Sequence, residues 1–431
     1  MPRVTEPRAS YGRSSPGSAS RIFEMRSDAG MDVTVFANGL VFLGDGFARA
    51  DVLCRAGRIE RIAPGIVPRD GDRVVDLFGH RLVPGFVDIH VHGGGGADFM
   101  DGSEDAIRIV CRTHARHGTT TLCPTTLTAP DDEISGFLDV VRRLVRTAGG
   151  DRPFQDGARI GGVHVEGPWL APSQAGAQDR AYLRPPSPAD LERLLGSCEC
   201  VSIVTIAPEL DGTCACAAWL AERGVVPAMG HSDATLAQVR DAVDCGFRHM
   251  VHFYSAMSSV RRDRGYRIPG MVEAGYLFDD VTVEAIADGR HLPHELLRLV
   301  QRVKGTDRVA MVTDAMRGAG MPEGTWRLGS LRWGRDVIVE EGVAKLPDRS
   351  GFAGSVCTMD RAVRTAVAAE ISLADALRMA SETPARILGM QDRRGRIAQG
   401  FDADFACLGD DLGVRMAVVA GEIAFDASAG G

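Results

Sequence analysis

The stretch Phe86–His92, FVDIHVH, decides how this chain is read. It is a short, nearly continuous apolar run of the kind that forms a buried strand. It ends in His-x-His. Because strand side chains alternate sides, His90 and His92 share a face and can converge on one ion. Seven more strand-like runs follow: TTLCPTT, IGGVHVEG, VSIVTIAPE, VVPAMGHS, HMVHFYSA, VTVEAIADG and VAMVTDAM. Between them lie SEDAIRIVCRTHARHG, PADLERLLGS, DATLAQVRDAVDCG and HELLRLVQRVKG, with apolar residues three and four apart. Two of these open with Ser or Asp, as capped helices do. Eight strands alternating with helices predict an α/β fold, a (β/α)8 TIM-like barrel over residues 84–390. A doubly wound open sheet would share the alternation, but no G-x-G-x-x-G follows the first strand.

On either side of the barrel the periodicity changes. Residues 32–83 carry short alternating runs broken by turns, such as VTVFANGLVFLG and RVVDLFGHRLV, and the pattern returns in GRIAQGFDADFACLG and GVRMAVVAGEIAFDA. Residues 32–83 plus 391–431 are therefore expected to build a small β-sandwich domain from both chain ends, antiparallel in its N-terminal half. Residues 1–31, rich in Arg, Ser, Pro and Gly and without the apolar core of a secretory signal, read as a disordered tail; Met31 is an alternative start.

The 431 residues are 45% apolar and 25% charged, with a net charge of -8, as expected for a soluble globular protein in the cytoplasm. Excess carboxylate gives no reason to expect nucleic acid or an anionic membrane as partner, and no segment has the 18 or so apolar residues of a membrane span. The ten cysteines lack the dense spacing of a disulfide scaffold and read as reduced thiols. Among 49 basic residues only Lys304 and Lys345 are lysine.

The ionisable residues cluster by position. His90 and His92 end the first strand, Glu166 ends the third, His231 the fifth, His252 lies in the sixth and Asp314 ends the eighth. That rim is where barrel active sites sit. Taken alone, each residue has a plainer reading: a hydrogen-bonded core histidine, or a carboxylate in an ion pair. Together, four histidines and two carboxylates on one rim point to a bound divalent metal, Zn2+ or Fe2+.

These residues fall in blocks that resemble the amidohydrolase superfamily and, within it, the N-acetylglucosamine-6-phosphate deacetylases. The blocks are PGFVDIHVHGGGG, HGTTTLCPTTLT, GVHVEGPWL, GHSDAT, HFYSAM, VTDAM and FAGSVCTMDRAV, and the resemblance runs from about residue 32 to the end. EGP and GHS-AT mark the deacetylase branch, whereas His-x-His and the late Asp are shared more widely. Many relatives bridge two metals with a carboxylated lysine, but neither Lys304 nor Lys345 is at a strand end. The resemblance implies Glu166 in that place, with His231 and His252 completing one metal site. His90, His92 and Asp314 would hold a second, giving one or two ions per subunit.

It also implies that Asp314 is the catalytic acid and base, that Ser255, Ala256 and His291 contact substrate, and that Arg267 reaches a phosphate across a homodimer interface. Two positions depart from the family. Gln178 stands where a histidine is usual, so it can donate a hydrogen bond but cannot become an imidazolium. Ser255 stands where an asparagine is usual, and is shorter. The expected activity is removal of an acetyl group from a small-molecule amino sugar, with N-acetylglucosamine 6-phosphate leading. A nonphosphorylated N-acyl amino sugar, a ring-amide hydrolase or deaminase, and a barrel that only senses sugar phosphates are the alternatives.

Overall fold

The computed structural model describes residues 33–147, 154 and 156–430; the expected N-terminal tail lies outside them. All eight strand-like runs form strands: β1 (Phe86–Val91), β2 (Thr119–Pro124), β3 (Val163–Glu166), β4 (Val201–Ile206), β5 (Val226–Met229), β6 (His249–Met250), β7 (Thr282–Ile286) and β8 (Val309–Val312). Every pairing among them is parallel, in two arcs, β1–β2 and β3 through β8. Single parallel bridges, Thr125 to His164 and Val91 to Ala315, bring the edges of the two arcs together. Strands β1, β2, β3 and β8 are buried along their whole length, which explains continuous apolar runs in place of alternation. Val87, Ile89, Cys123, Ile203, Ala228, Val251, Ile286, Ala310 and Val312 pack in one cluster. A flat sheet could not bring its distant strands into one such cluster, so the sheet is curled.

Helices connect the strands and pack outside them, contributing to the main apolar cluster. Glu104–Ala115 is capped by Ser103, whose side chain accepts from the backbone of Ala106. The helix after β5 starts later than its sequence suggests: Leu236–Asp244 is capped by Thr235 in a reciprocal pair with Gln238, not by Asp233.

Both chain ends enter one eight-stranded sheet. Its order places Phe405–Leu408 beside Arg81–Pro84, so the strand leading into β1 joins the two ends. The N-terminal half is mixed rather than antiparallel, because Val33–Phe42 runs parallel to Arg73–Asp76 and to Arg81–Pro84. Short loops do not oblige every neighbour to reverse when the chain passes over the sheet edge. At the junction with the curled sheet, the buried Arg159 guanidinium meets Asp402 at 3.3 Å and Asp404 at 2.6 Å.

Two other features depart from the sequence reading. Cys198 is joined to Cys200 and Cys214 to Cys245, where reduced thiols were expected; six other cysteines are free and buried. After β8 a three-stranded antiparallel insert, Gly324–Leu328, Arg335–Glu340 and Val343–Lys345, rises over the rim. Among the described residues, no helix is long and apolar enough to cross a membrane.

Candidate metal centre

The curl brings together side chains that are far apart in the chain. Glu166 Oε1 lies 3.1 Å from His231 Nε2 and 2.8 Å from His252 Nε2. The two imidazole nitrogens are themselves 3.1 Å apart. His92 Nε2 lies 3.1 Å from Asp314 Oδ1 and 3.6 Å from Glu166 Oε2. His90 Nε2 sits between, 3.6 Å from Glu166 and 3.7 Å from Asp314, fully buried and without a hydrogen-bond partner.

The other ring nitrogen of each histidine decides what this arrangement means. His231 Nδ1 faces the carbonyl of Gln174 at 2.8 Å, and His252 Nδ1 that of Ser255 at 3.2 Å. His92 Nδ1 faces the carbonyl of Thr125 at 3.3 Å, and His90 Nδ1 the carboxylate of Glu284 at 2.8 Å. Each of these partners only accepts, so each Nδ1 carries the hydrogen and donates it. In the neutral ring, Nε2 is then a lone pair. Four such lone pairs and two carboxylates converge on one volume, with Gln178 donating to Glu166. Electrostatically, the cluster requires positive charge, as protons on the rings or as a cation. Burial alone would push Glu166 upward, yet charge on His231 and His90 holds its carboxyl well below the usual range. Burial also opposes ionisation of Asp314, but the hydrogen bond from His92 and charge on His90 bring it down.

This donor set fits a divalent ion. His90, Glu166 and His252 form one group close enough to hold it, and His90, His92 and Asp314 another. His90 with His164 and Glu284 forms a third such group, but both His164 nitrogens are engaged. Its Nδ1 donates to the Ile89 carbonyl at 3.1 Å and its Nε2 faces the Thr205 hydroxyl at 2.8 Å. His164 is a structural histidine, neutral because burial, then the charge on His90, pushes its pKa down to about 3.

The local backbone is bent to serve these positions. His231, His252 and Asp314 follow their strands with φ of 47°, 28° and 48°, a region that L-residues rarely adopt. Such strain clusters where side-chain direction outweighs backbone comfort. At Asp314 the turn is held by its N–H donating to the His90 carbonyl at 2.8 Å and its carbonyl accepting from Ser355 at 2.7 Å. Gly93 passes so close that a Cβ there would lie 2.5 Å from the Ala97 carbonyl oxygen.

A cleft of about 390 Å³ opens over the cluster, lined among others by Gln178, Ser255, Ala256, His291, Leu328 and Phe352. Gln178 is locked: its carbonyl accepts from the Thr128 N–H and its amide donates to Glu166 Oε2, both at 2.7 Å. His291 is oriented by Asp288 at 2.8 Å and lies against the Phe352 ring. Arg267 does not join the cleft within this chain; it is exposed on the hairpin formed by Arg261–Asp263 and Tyr266–Ile268. The sequence reading overlooked Glu284, which orients His90. Its signal was the one used for Glu166, a carboxylate inside an apolar run.

Comparison with known proteins agrees with this geometry. The model of the amidohydrolase family matches residues 81–424. The N-acetylglucosamine-6-phosphate deacetylase of Lysinibacillus sphaericus is 34% identical over 86% of this chain and 92% of its own length. The N-acetylgalactosamine-6-phosphate deacetylase of Escherichia coli O157:H7 is 33% identical over 85% and 91%. The crystal structure of N-acetyl-D-glucosamine-6-phosphate deacetylase from Mycobacterium smegmatis superposes with a TM-score of 0.80 at 34% identity, covering 91% of this chain and 100% of that one. The chain belongs to the amidohydrolase family and, within it, to the N-acetylglucosamine-6-phosphate deacetylases.

Proposed function

We propose that this protein hydrolyses the acetamido group of an amino sugar, with N-acetylglucosamine 6-phosphate as leading substrate and glucosamine 6-phosphate and acetate as products. The observation that carries this reading is the convergence of four outward-tethered imidazoles and two carboxylates beneath one sugar-sized cleft. Glu166, His231 and His252 would hold one ion, and His90, His92 and Asp314 a second, Zn2+ or Fe2+ by donor type. Such an ion supplies Lewis acidity, bringing the pKa of water to roughly 7 and polarising the acyl oxygen. Asp314, ionised and facing the cleft, takes the proton from the attacking water and delivers it to the leaving nitrogen as the C–N bond breaks. Gln178 presents its amide beside the reacting carbonyl, and His291 and Ala256 orient the sugar. Around this centre the eight strands close as a (β/α)8 barrel, with the terminal sheet as a second domain.

A second reading concerns the phosphate. Among the described residues, no arginine or lysine lines the cleft. A 6-phosphate would need a cation from elsewhere, and Arg267 of a second copy in a homodimer supplies one by its guanidinium fork. Without that contact the substrate is a nonphosphorylated N-acetyl hexosamine. The relatives include glucosamine and galactosamine 6-phosphate enzymes, so both sugars belong in the test. Metal-loaded protein is offered N-acetylglucosamine and N-acetylgalactosamine, each with and without 6-phosphate, and free amine is measured. Release from the phosphorylated glucosamine is expected; release only from unphosphorylated sugars selects the second reading, and no release from any removes both.

A further inference from the structure

Glu284, in the middle of β7, is an acidic residue outside the two proposed ligand sets. It is fully buried, yet it accepts three hydrogen bonds. Its Oε2 takes one from His90 Nδ1 at 2.8 Å and one from the backbone N–H of His252 at 3.0 Å. Its Oε1 faces His249 Nε2 at 3.1 Å, and His249 is held in turn by the Thr282 hydroxyl at 2.8 Å. A single carboxylate oxygen therefore touches a ligand from each of the two metal groups. For His90 it fixes the tautomer and aims Nε2 into the cluster. For His252 it anchors the N–H of a residue held at φ 28°.

We propose that Glu284 is a positioning residue that sets the affinity of the subsite containing His90 and, through the His252 backbone, keeps the two subsites in register. This rests on the metal-dependent reading above. An ionised acceptor on Nδ1 makes Nε2 a stronger donor to a cation than a neutral acceptor does, and removal of such a partner commonly costs 10- to 100-fold in metal affinity. It also adds a third buried negative charge next to Glu166 and Asp314, which favours two divalent ions over one.

The geometry supplies a near-isosteric test. In Glu284→Gln the amide oxygen can occupy the Oε2 position and accept from both His90 and His252, while the amide nitrogen donates to His249 in its other tautomer. The shape is kept and the charge is removed. Wild-type and variant apoproteins are titrated with Zn2+ against a chromophoric chelator, bound ions are counted by elemental analysis, and apoprotein thermal unfolding is recorded alongside. Two ions in wild type are expected, with one of them 10- to 100-fold weaker in Glu284→Gln and the other within about threefold. Unfolding of the two apoproteins should coincide. Glu284→Ala, which also releases His252, should weaken both. Glu284→Gln holding two ions at wild-type affinity overturns this proposal and leaves the metal reading intact. Equal loss at both sites with a lowered apoprotein Tm also overturns it, by making Glu284 merely structural. Fewer than two ions in wild type removes the two-subsite reading and this proposal together.

Discussion

In the proposed reaction one side chain, Asp314, both holds an ion and carries a proton. Its backbone is pinned on both sides, so an amide can replace the carboxyl without moving the turn. Asp314→Asn should lower kcat by about 10²- to 10⁴-fold, the range for loss of a positioned acid and base. Circular dichroism and the ion held by Glu166, His231 and His252 should be unchanged; activity near wild type would remove Asp314 from the proton path. A different histidine contributes to acid stability. Burial pushes the pKa of His114 down to about 4, and its Nε2 donates to the Gly93 carbonyl at 3.0 Å. The folded state then binds fewer protons than the unfolded chain between about pH 6.5 and 4. Its contribution is complete above that window and is lost as pH falls through it, on the order of 3 kcal/mol in all. Urea unfolding of His114→Gln should show a shallower decline over this window than wild type.

The strand ends and the turns after them give the candidate ligands a defined direction. Strands β1, β3, β5, β6 and β8 each end at or just before a candidate ligand. After His231 the chain has only Ser232, Asp233 and Ala234 before the capped helix Leu236–Asp244. Ser232 also donates to Glu209 at 2.6 Å, and the Glu209 carboxylate accepts from the Asp233 N–H at 2.7 Å. Thr235→Ala removes the cap and should destabilise the protein by about 1 kcal/mol in denaturant titrations. If the cap also steadies the His231 turn, metal affinity falls with it. Unchanged affinity assigns that turn to Glu209 alone. The insert of Gly324–Leu328, Arg335–Glu340 and Val343–Lys345 shows the other kind of element, one that shapes the cleft wall through Leu328 without supplying chemistry.

For the whole molecule, the two chain ends matter because their sheet meets the curled sheet across a buried ion network. Arg159 lies on the strand Arg159–Ile160 beside β2, whereas Asp402 and Asp404 precede a strand of the terminal sheet. Removing Arg159 takes its nearest cation from the buried Asp404, whereas Asp402 keeps Arg394 at 3.1 Å, so the cost falls below the about 3–5 kcal/mol of a wholly unpaired buried charge. Arg159→Met should therefore lower Tm, while Asp404→Asn in that background should recover part of the loss. No recovery would mean that the arginine acts by packing alone.

Much of this was legible in the residues themselves. Eight apolar runs were readable because both faces of each strand are covered, which leaves long uninterrupted hydrophobic signals. The ligands were readable because charge is costly in such runs and stands out. Glu284 carried the same signal in VTVEAIADG but had no partner nearby in sequence; its meaning came only when β7 was brought beside β6 and across from β1. The parallel neighbours of Val33–Phe42 and the Cys214–Cys245 link were equally out of reach, since spacing along a chain does not fix which segments meet. By itself, then, the sequence determined element type, the candidate ligands and the family, all of which depend on local periodicity and residue identity. Tertiary structure alone decided which histidine nitrogen faces the cluster, that Gln178 is tied to Glu166, and that, among the described residues, no arginine or lysine lines the cleft. Those are distances between residues far apart in the chain, and only the curl of the sheet sets them.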